Sequence, residues 1–222
     1  MVRLKRTMMP KWWPVERKTK KYTVAPRGSH TKSFSLPLLI LIRDVLKLAE
    51  TSKEARNIIK RGEILVDGRK RKDYKFGVGP FDVITIPALK KAWRAIPKKG
   101  LTFIEIPEAE AKLKICKIID KKSLKGNKSQ LNLSDGRNLL TNEKYSTNDS
   151  LLIELPAQKV IEHIKFEKNS LALVLSGKNS GKVAKIDNIE KNRVWLGDKK
   201  LFEVPKNLIM VVGRDKPLIK LE

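Results

Sequence analysis

Residues 51–68 read Thr-Ser-Lys-Glu-Ala-Arg-Asn-Ile-Ile-Lys-Arg-Gly-Glu-Ile-Leu-Val-Asp-Gly, and each part of that string dictates a local geometry. Thr51 and Glu54 have the spacing of a capping box, which marks a helix start. Ala55, Ile58 and Ile59 then fall on one side of the helix, leaving Lys53, Arg56, Lys60 and Arg61 to the other. Gly62 supplies a left-handed stop, residues 64–66 have strand composition, and Asp67-Gly68 suits a type I′ hairpin turn. The run Arg69-Lys70-Arg71-Lys72 follows at once, so eight Lys/Arg stand against three acids between Lys53 and Lys72. A lone helix of this kind is most often a solvated surface. A rigid platform with a second basic run beside it suits a phosphate backbone better.

Charge along the chain points the same way. The 222 residues carry a formal +25, with pI ≈ 10.2. Residues 1–33 hold ten basic side chains and one acid, and residues 34–100 hold sixteen and seven, each a net +9. Residues 101–170 carry only +2 and residues 171–222 carry +5. Attraction to a polyanion is therefore concentrated in the first hundred residues, and the middle reads as scaffold or protein-facing surface. A hydrophobic content of 41% is enough for packed cores, so the chain is not a disordered polycation.

Several functions lack the residues they need. The single cysteine, Cys116, leaves no internal disulfide partner and fits a reducing compartment. The longest apolar run, residues 36–42, is far short of the ~20 needed to cross a bilayer, and the first twelve residues do not resemble a secretory signal. A soluble cytoplasmic protein with no membrane partner is expected. His30 and His163 are the only histidines and lie in different segments, so no catalytic constellation, metal cluster or cofactor site is expected. His30 is expected to face RNA or solvent.

The fold class expected is α+β in four segments. Residues 1–35 form a basic extended arm with Pro10, Pro14, Pro26 and the aromatics Trp12, Trp13 and Tyr22. The tryptophans either stack on bases of a folded RNA or turn back to cover the next domain. Residues 36–100 form a small α+β domain whose first helix, 36–50, has Ser35 as N-cap and an apolar stripe of Leu38, Leu41, Ile42, Val45, Leu48 and Ala49. A closing strand is expected at 82–86, and residues 90–99 form a connector. Residues 101–168 form a β-rich domain, with strands at 101–106, 113–119, 151–155 and 160–166 and a hairpin turn at Asp135-Gly136. Residues 169–222 give short strands suited to a small barrel.

The last segment opens as strand, glycine-lysine loop, strand: Leu171-Ala-Leu-Val-Leu-Ser-Gly-Lys-Asn-Ser-Gly-Lys-Val-Ala-Lys-Ile. A nucleotide-binding P-loop is rejected on spacing. Only three residues separate Gly177 from Gly181-Lys182, and Val183 stands where Ser or Thr would hold magnesium. No nucleotide partner is expected.

These motifs carry a resemblance. The A-R-x-I-I-x-x-G-x-I-x-V-D-G pattern from Ala55 to Gly68 resembles the S-four RNA-binding fold of ribosomal proteins, pseudouridine synthases and tRNA synthetases. Lys53 stands where Arg is frequent, and Asp67 where Asn usually precedes the glycine. The 171–186 segment resembles the KOW motif, with Gly177, Lys178, Gly181 and Lys182 matching and Ala184 replacing a common glycine. The two motifs in this order behind a basic arm resemble the archaeal and eukaryotic small-subunit ribosomal protein S-four-e family across essentially the whole chain. W-x-x-x-R-K at Trp13–Lys18, Ala25-Pro26-Arg27, Ala109–Lys117 and Ile161–Phe166 also look like that family.

The resemblance implies a non-catalytic structural constituent of the small ribosomal subunit, held to rRNA and to neighbouring ribosomal proteins. Its RNA-binding residues would be Lys53, Arg56, Lys60, Arg61, Arg69, Lys70, Arg71 and Lys72 in the S-four module, with Lys178 and Lys182 in the KOW loop. The arm would add Arg3, Lys5, Arg6, Lys11, Trp12, Trp13, Arg17, Lys18 and Arg27. Two other classes fit the same motifs: a free RNA chaperone or translation factor, and a transcription-elongation partner acting through the KOW-like segment.

Overall fold

Beyond Gly62 the sequence is rich in short β-branched runs, and strands are what form. A computed structural model describes residues 4–126, 128–197 and 201–221. Among them the chain is mostly β with few helices, so helix contributes less to the α+β fold than expected. The chain divides into two compact units: one runs up to Ala95 and takes in Gly100–Ala111, and the other comprises Ile96–Lys99 and the chain from Lys112 onward.

In the first unit, Ser52–Arg61 is a regular helix. Thr51 Oγ1 accepts from the Glu54 amide, and Glu54 reaches back to the Glu50 amide. Gly62, at φ 75°, ends it. The strand Leu65–Val66 turns through Asp67 and Gly68, both at positive φ, into Arg69–Lys70. Asp67 does more than shape the turn: its buried carboxylate accepts the Val83 amide at 3.0 Å. Five strands lie in the order Arg69–Lys70, Leu65–Val66, Val83–Ile86, Lys91–Pro97, Leu101–Ile106. Two expectations change here. The 90–99 connector is a strand, and the 101–106 strand, expected to open the central domain, closes the edge of this sheet.

The helix expected over 36–50 is much shorter. Leu36–Pro37 is a strand, helix begins at Leu38, and by Leu46 the amide reaches five residues back to the Leu41 carbonyl, a widened turn. Lys47, at φ 52°, then takes the chain out of helix. Leu38 through Ile42 are all buried, so the segment is covered on every side and has no single apolar face. Ser35 does not cap it; it is a buried residue whose carbonyl accepts from Trp13.

The arm also departs from expectation. Leu4–Lys5 pairs with Tyr22–Thr23, and Met9 and Trp13 enter the core beside Leu36 and Leu38. His30 does not face solvent. Its ring lies against Gly79, and Nε2 meets the Asp82 carboxylate at 3.1 Å. Arg27 exchanges backbone bonds with Lys75 and Gly77 at 2.7 Å.

The second unit holds two antiparallel five-stranded sheets. The first runs Asn138–Thr141, Ser129–Leu133, Leu113–Ser123, Ser150–Glu154, Lys159–Ile164. The second runs Phe202–Pro205, Arg193–Leu196, Val183–Ile189, Leu171–Val174, Ile209–Gly213. Lys117, buried in the first, donates from Nζ to the Lys206 and Ile209 carbonyls at 2.9 and 2.7 Å, tying the two together. Cys116 is buried in the first sheet's core, its Sγ donating to Asp135 Oδ2 at 3.5 Å.

Candidate nucleic-acid interface

The helix–stop–hairpin brings two separate basic runs together. Ala55 and Ile59 bury one face of the Ser52–Arg61 helix, so Lys53, Arg56, Lys60 and Arg61 are exposed on the other. After the turn, Arg69, Lys70 and Lys72 are exposed as well. The Lys72 stem runs over Gly62: a Cβ there would lie 3.4 Å from Lys72 Cε and 4.0 Å from Lys70 Cδ. The Lys72 and Lys70 stems thus lie beside the helix stop that follows Lys60 and Arg61, so cations from both runs share one surface. Arg61 makes only a loose exposed pair with Glu63 at 3.8 Å, worth little in water. Arg71 differs from its neighbours. It is half-buried, with its guanidinium over the Phe76 ring at 4.3 Å.

Surface shape matters as much as charge. Thr51, Lys53, Glu54, Asn57, Ile58 and Arg61 line a shallow concavity of about 410 Å³ on this helix. Asn57 and Ile58 bring a hydrogen-bonding amide and an apolar contact that charge counting does not register. On the other flank, Arg43, Tyr74 and Lys75 join Arg56 around a second cleft. They give no local signal, because residues from three separate segments build that wall.

The arm residues split into two groups. Lys5, Lys11, Lys18 and Arg27 are exposed. Arg6 is a clamp, donating to the Glu16 carbonyl at 2.7 Å and to Thr19 Oγ1, and Arg17 donates to the Met9 carbonyl at 2.8 Å. The two tryptophans turn back onto the domain, the second of the two courses open to them. Trp13 is 4% exposed and its indole N–H bonds the Ser35 carbonyl. Base stacking by Trp13 is therefore ruled out in this conformation, because its ring is already core. Trp12 is half-buried, edge-on to Trp13, with its N–H on the Ser33 carbonyl. Arg3 lies outside the described residues.

In the second unit, Gly177 and Gly181 adopt φ of 96° and 84°. A Cβ on Gly181 would sit 2.9 Å from Lys98 Cγ, so glycine is needed for conformation and for space. Lys178 is exposed, while Lys182 Nζ donates to Asn179 Oδ1 at 3.0 Å and lies over the Phe202 ring.

The pKa values of several buried groups are displaced. Burial, and next the Lys206 charge, bring Lys117 down to about 8. Burial pushes Asp135 up, but Lys114, the Arg137 amide and the Arg137 guanidinium outweigh it and hold the carboxyl below its usual range. Burial lowers Arg94, which Glu110 opposes through a 3.0 Å ion pair. Each of these groups is engaged with neighbouring protein groups. Among the described residues no group of three or more His, Cys, Asp or Glu is placed to hold a metal ion.

The surface is thus a shaped, cation-bearing platform, and similarity to known proteins can be set beside it. Residues 37–84 match the S4 domain family, and residues 94–160 match the family described as Ribosomal family S4e. The small ribosomal subunit protein eS4 of Methanothermobacter thermautotrophicus is 42% identical over 98% of this chain and 95% of its own. That of Ignicoccus hospitalis is 43% identical over 98% and 94%. The crystal structure of the 30S ribosomal protein S4e from Thermoplasma acidophilum superposes with a TM-score of 0.72 at 30% identity, covering 81% of this chain and 95% of that one. With an S4-type platform in the first unit and near-full-length similarity to proteins of one name, the chain belongs to the small ribosomal subunit protein eS4 family.

Proposed function

We propose that the chain is a structural constituent of the small ribosomal subunit, cytoplasmic and non-catalytic, that binds and holds folded rRNA. The observation that carries this reading is the convergence of Lys53, Arg56, Lys60 and Arg61 with Arg69, Lys70 and Lys72 across Gly62. Lysine and arginine on a rigid frame read phosphate geometry and helix shape rather than base sequence. In this reading the exposed arm cations extend the contact, and the loop 177–182 of a KOW-type barrel makes a further one. The layout is an arm, 1–35, folded back on an S4-type domain whose sheet is completed by the 101–106 strand, then a central domain reaching 168 and a barrel 169–222. Neighbouring ribosomal proteins would meet the nearly neutral middle.

Salt titration of rRNA binding tests the grip. If about eight phosphates are neutralised, log K falls against log salt with a slope of roughly −6 to −7. Lys53→Glu with Lys60→Glu should weaken binding and flatten that slope. A folded double variant with wild-type affinity and slope would refute the assignment of these residues. Stoichiometric co-sedimentation with small subunits after a high-salt wash tests the constitutive role.

A further inference from the structure

The surface beside the helix carries a second, differently built feature. A cleft of about 360 Å³ opens where the returning arm meets the domain. That is near the small end of the ~300–1,000 Å³ typical of ligand pockets. Among the described residues five cations line it (Arg6, Lys20, Arg43, Arg56, Lys75) and no lining residue is a carboxylate. Its other walls are two tyrosine rings, Tyr22 and Tyr74, and an apolar floor including Val24, Leu39 and Ile40. Leu39 and Ile40 are buried core residues, so the floor is anchored.

The five cations are not equivalent. Arg43 is offset, holding the adjacent Asp44 carboxylate at 2.8 Å and Ser52 Oγ at 2.6 Å. Arg6 is spent on the arm: besides Glu16 and Thr19 it reaches the Tyr22 carbonyl at 3.4 Å, fixing the strand that carries the Tyr22 ring. Arg56 is exposed, with its guanidinium over the Tyr74 ring at 4.6 Å; Lys75 Nζ lies 5.5 Å from the same ring. Lys20, at the rim, is exposed. A cation drawn onto a tyrosine face keeps its charge and extends the stack, while its N–H edges stay open to an anion.

A planar aromatic wall, an apolar floor and a cationic rim without acids match one ligand chemistry: a nucleobase attached to phosphate. We propose that this cleft receives a single unstacked ribonucleotide of the bound RNA, its base against Tyr22 or Tyr74 and its phosphate on Arg56 and Lys20. The inference rests on the rRNA-binding reading above and adds a nucleotide-sized site to a surface otherwise suited to phosphate geometry. Single-stranded or bulged RNA supplies such a nucleotide, because its bases can swing out and stack on protein rings. A continuous duplex does not.

The test uses the full chain and small-subunit rRNA from the source organism. Tyr22 is exposed, so Tyr22→Leu tests the ring without touching the core, and Tyr74→Leu is its companion. The variant that removes the stacked ring should weaken binding by about 5- to 150-fold, the loss of one base stack, while the salt slope keeps its wild-type value. Irradiation of the complex at short ultraviolet wavelength, with mass-spectrometric mapping, should find nucleotide adducts on Tyr22 or Tyr74. Folded variants that both bind as tightly as wild type, with adducts confined to other segments, would overturn the proposal. Weak, salt-insensitive binding by the wild-type chain would instead sink the broader rRNA reading.

Discussion

Gly79 is where the returning arm is locked, and one methyl group should unlock it. A Cβ built there lies 2.5 Å from His30 Cδ2 and closer still to Cγ and Nδ1, inside any allowed contact. No positive φ is involved, so alanine is conformationally acceptable and the clash alone decides the outcome. To clear it the ring must shift by about 1 Å or more to reach ordinary ~3.5–4.0 Å contact. That shift breaks the 3.1 Å approach of Nε2 to Asp82, a 2% exposed residue. Overpacking costs about 1–3 kcal/mol and losing a hydrogen bond to a charged group about 1.5–3 kcal/mol, so Gly79→Ala should destabilise the first unit by about 2.5–6 kcal/mol. The assay is a double-mutant cycle with His30→Ala. Urea unfolding is followed by tryptophan fluorescence, since three of the four tryptophans (Trp12, Trp13, Trp93) lie in this unit. Once the ring is gone, Gly79→Ala should cost little, within about 0.5 kcal/mol. Equal costs in the two backgrounds would refute the reasoning. In Gly79→Ala itself, limited proteolysis near residues 27–33 should accelerate.

Other outcomes follow from the second unit. Lys117 is depressed to about 8 in the folded chain, so the penalty for its charge is fully present below pH 8. It is relieved as pH rises towards 10.5, where the unfolded side chain also deprotonates. Stability should therefore climb by up to about 3 kcal/mol over that window, and Lys117→Met should remove the climb. Parallel curves in urea unfolding at stepped pH would contradict this. Asp135→Asn removes the charge facing Lys114 and Arg137, at 3.3 and 3.1 Å, and should cost about 3–5 kcal/mol because Lys114 is 1% exposed. The stability Asp135 contributes is present above the usual carboxylate pKa and lost as pH falls through its lower folded-state value. The variant's acid limb should accordingly be flatter in calorimetry.

What could be read from the sequence was what local geometry fixes. The capping residues, Gly62 and the Asp67-Gly68 turn need no distant partner, and the structure has them as expected. Pairing fixes the rest. Arg94 looked like part of a connector because its partner, Glu110, lies sixteen residues on, and only the sheet makes the meeting visible. The helix over 36–50 was overextended because an all-round apolar run has the composition of a helix without its one-sided period. The arm gave no sign of its return, since Trp13 and His30 meet Ser35 and Asp82 only after the domain has folded. The platform cations were legible individually. Their convergence over Gly62, and the Tyr22–Tyr74 cleft, were not.

The inward turn of Trp13 also bears on biosynthesis. The beginning of the chain leaves the ribosome first, yet its docking site includes Ser35, while Gly100 packs against Trp12 and Leu101 and Phe103 join the same cluster. For about a hundred residues of elongation, a cationic segment with two uncovered indoles waits for the strand that will shelter it. Nascent intermediates shorter than that should be markedly stickier than the finished polypeptide.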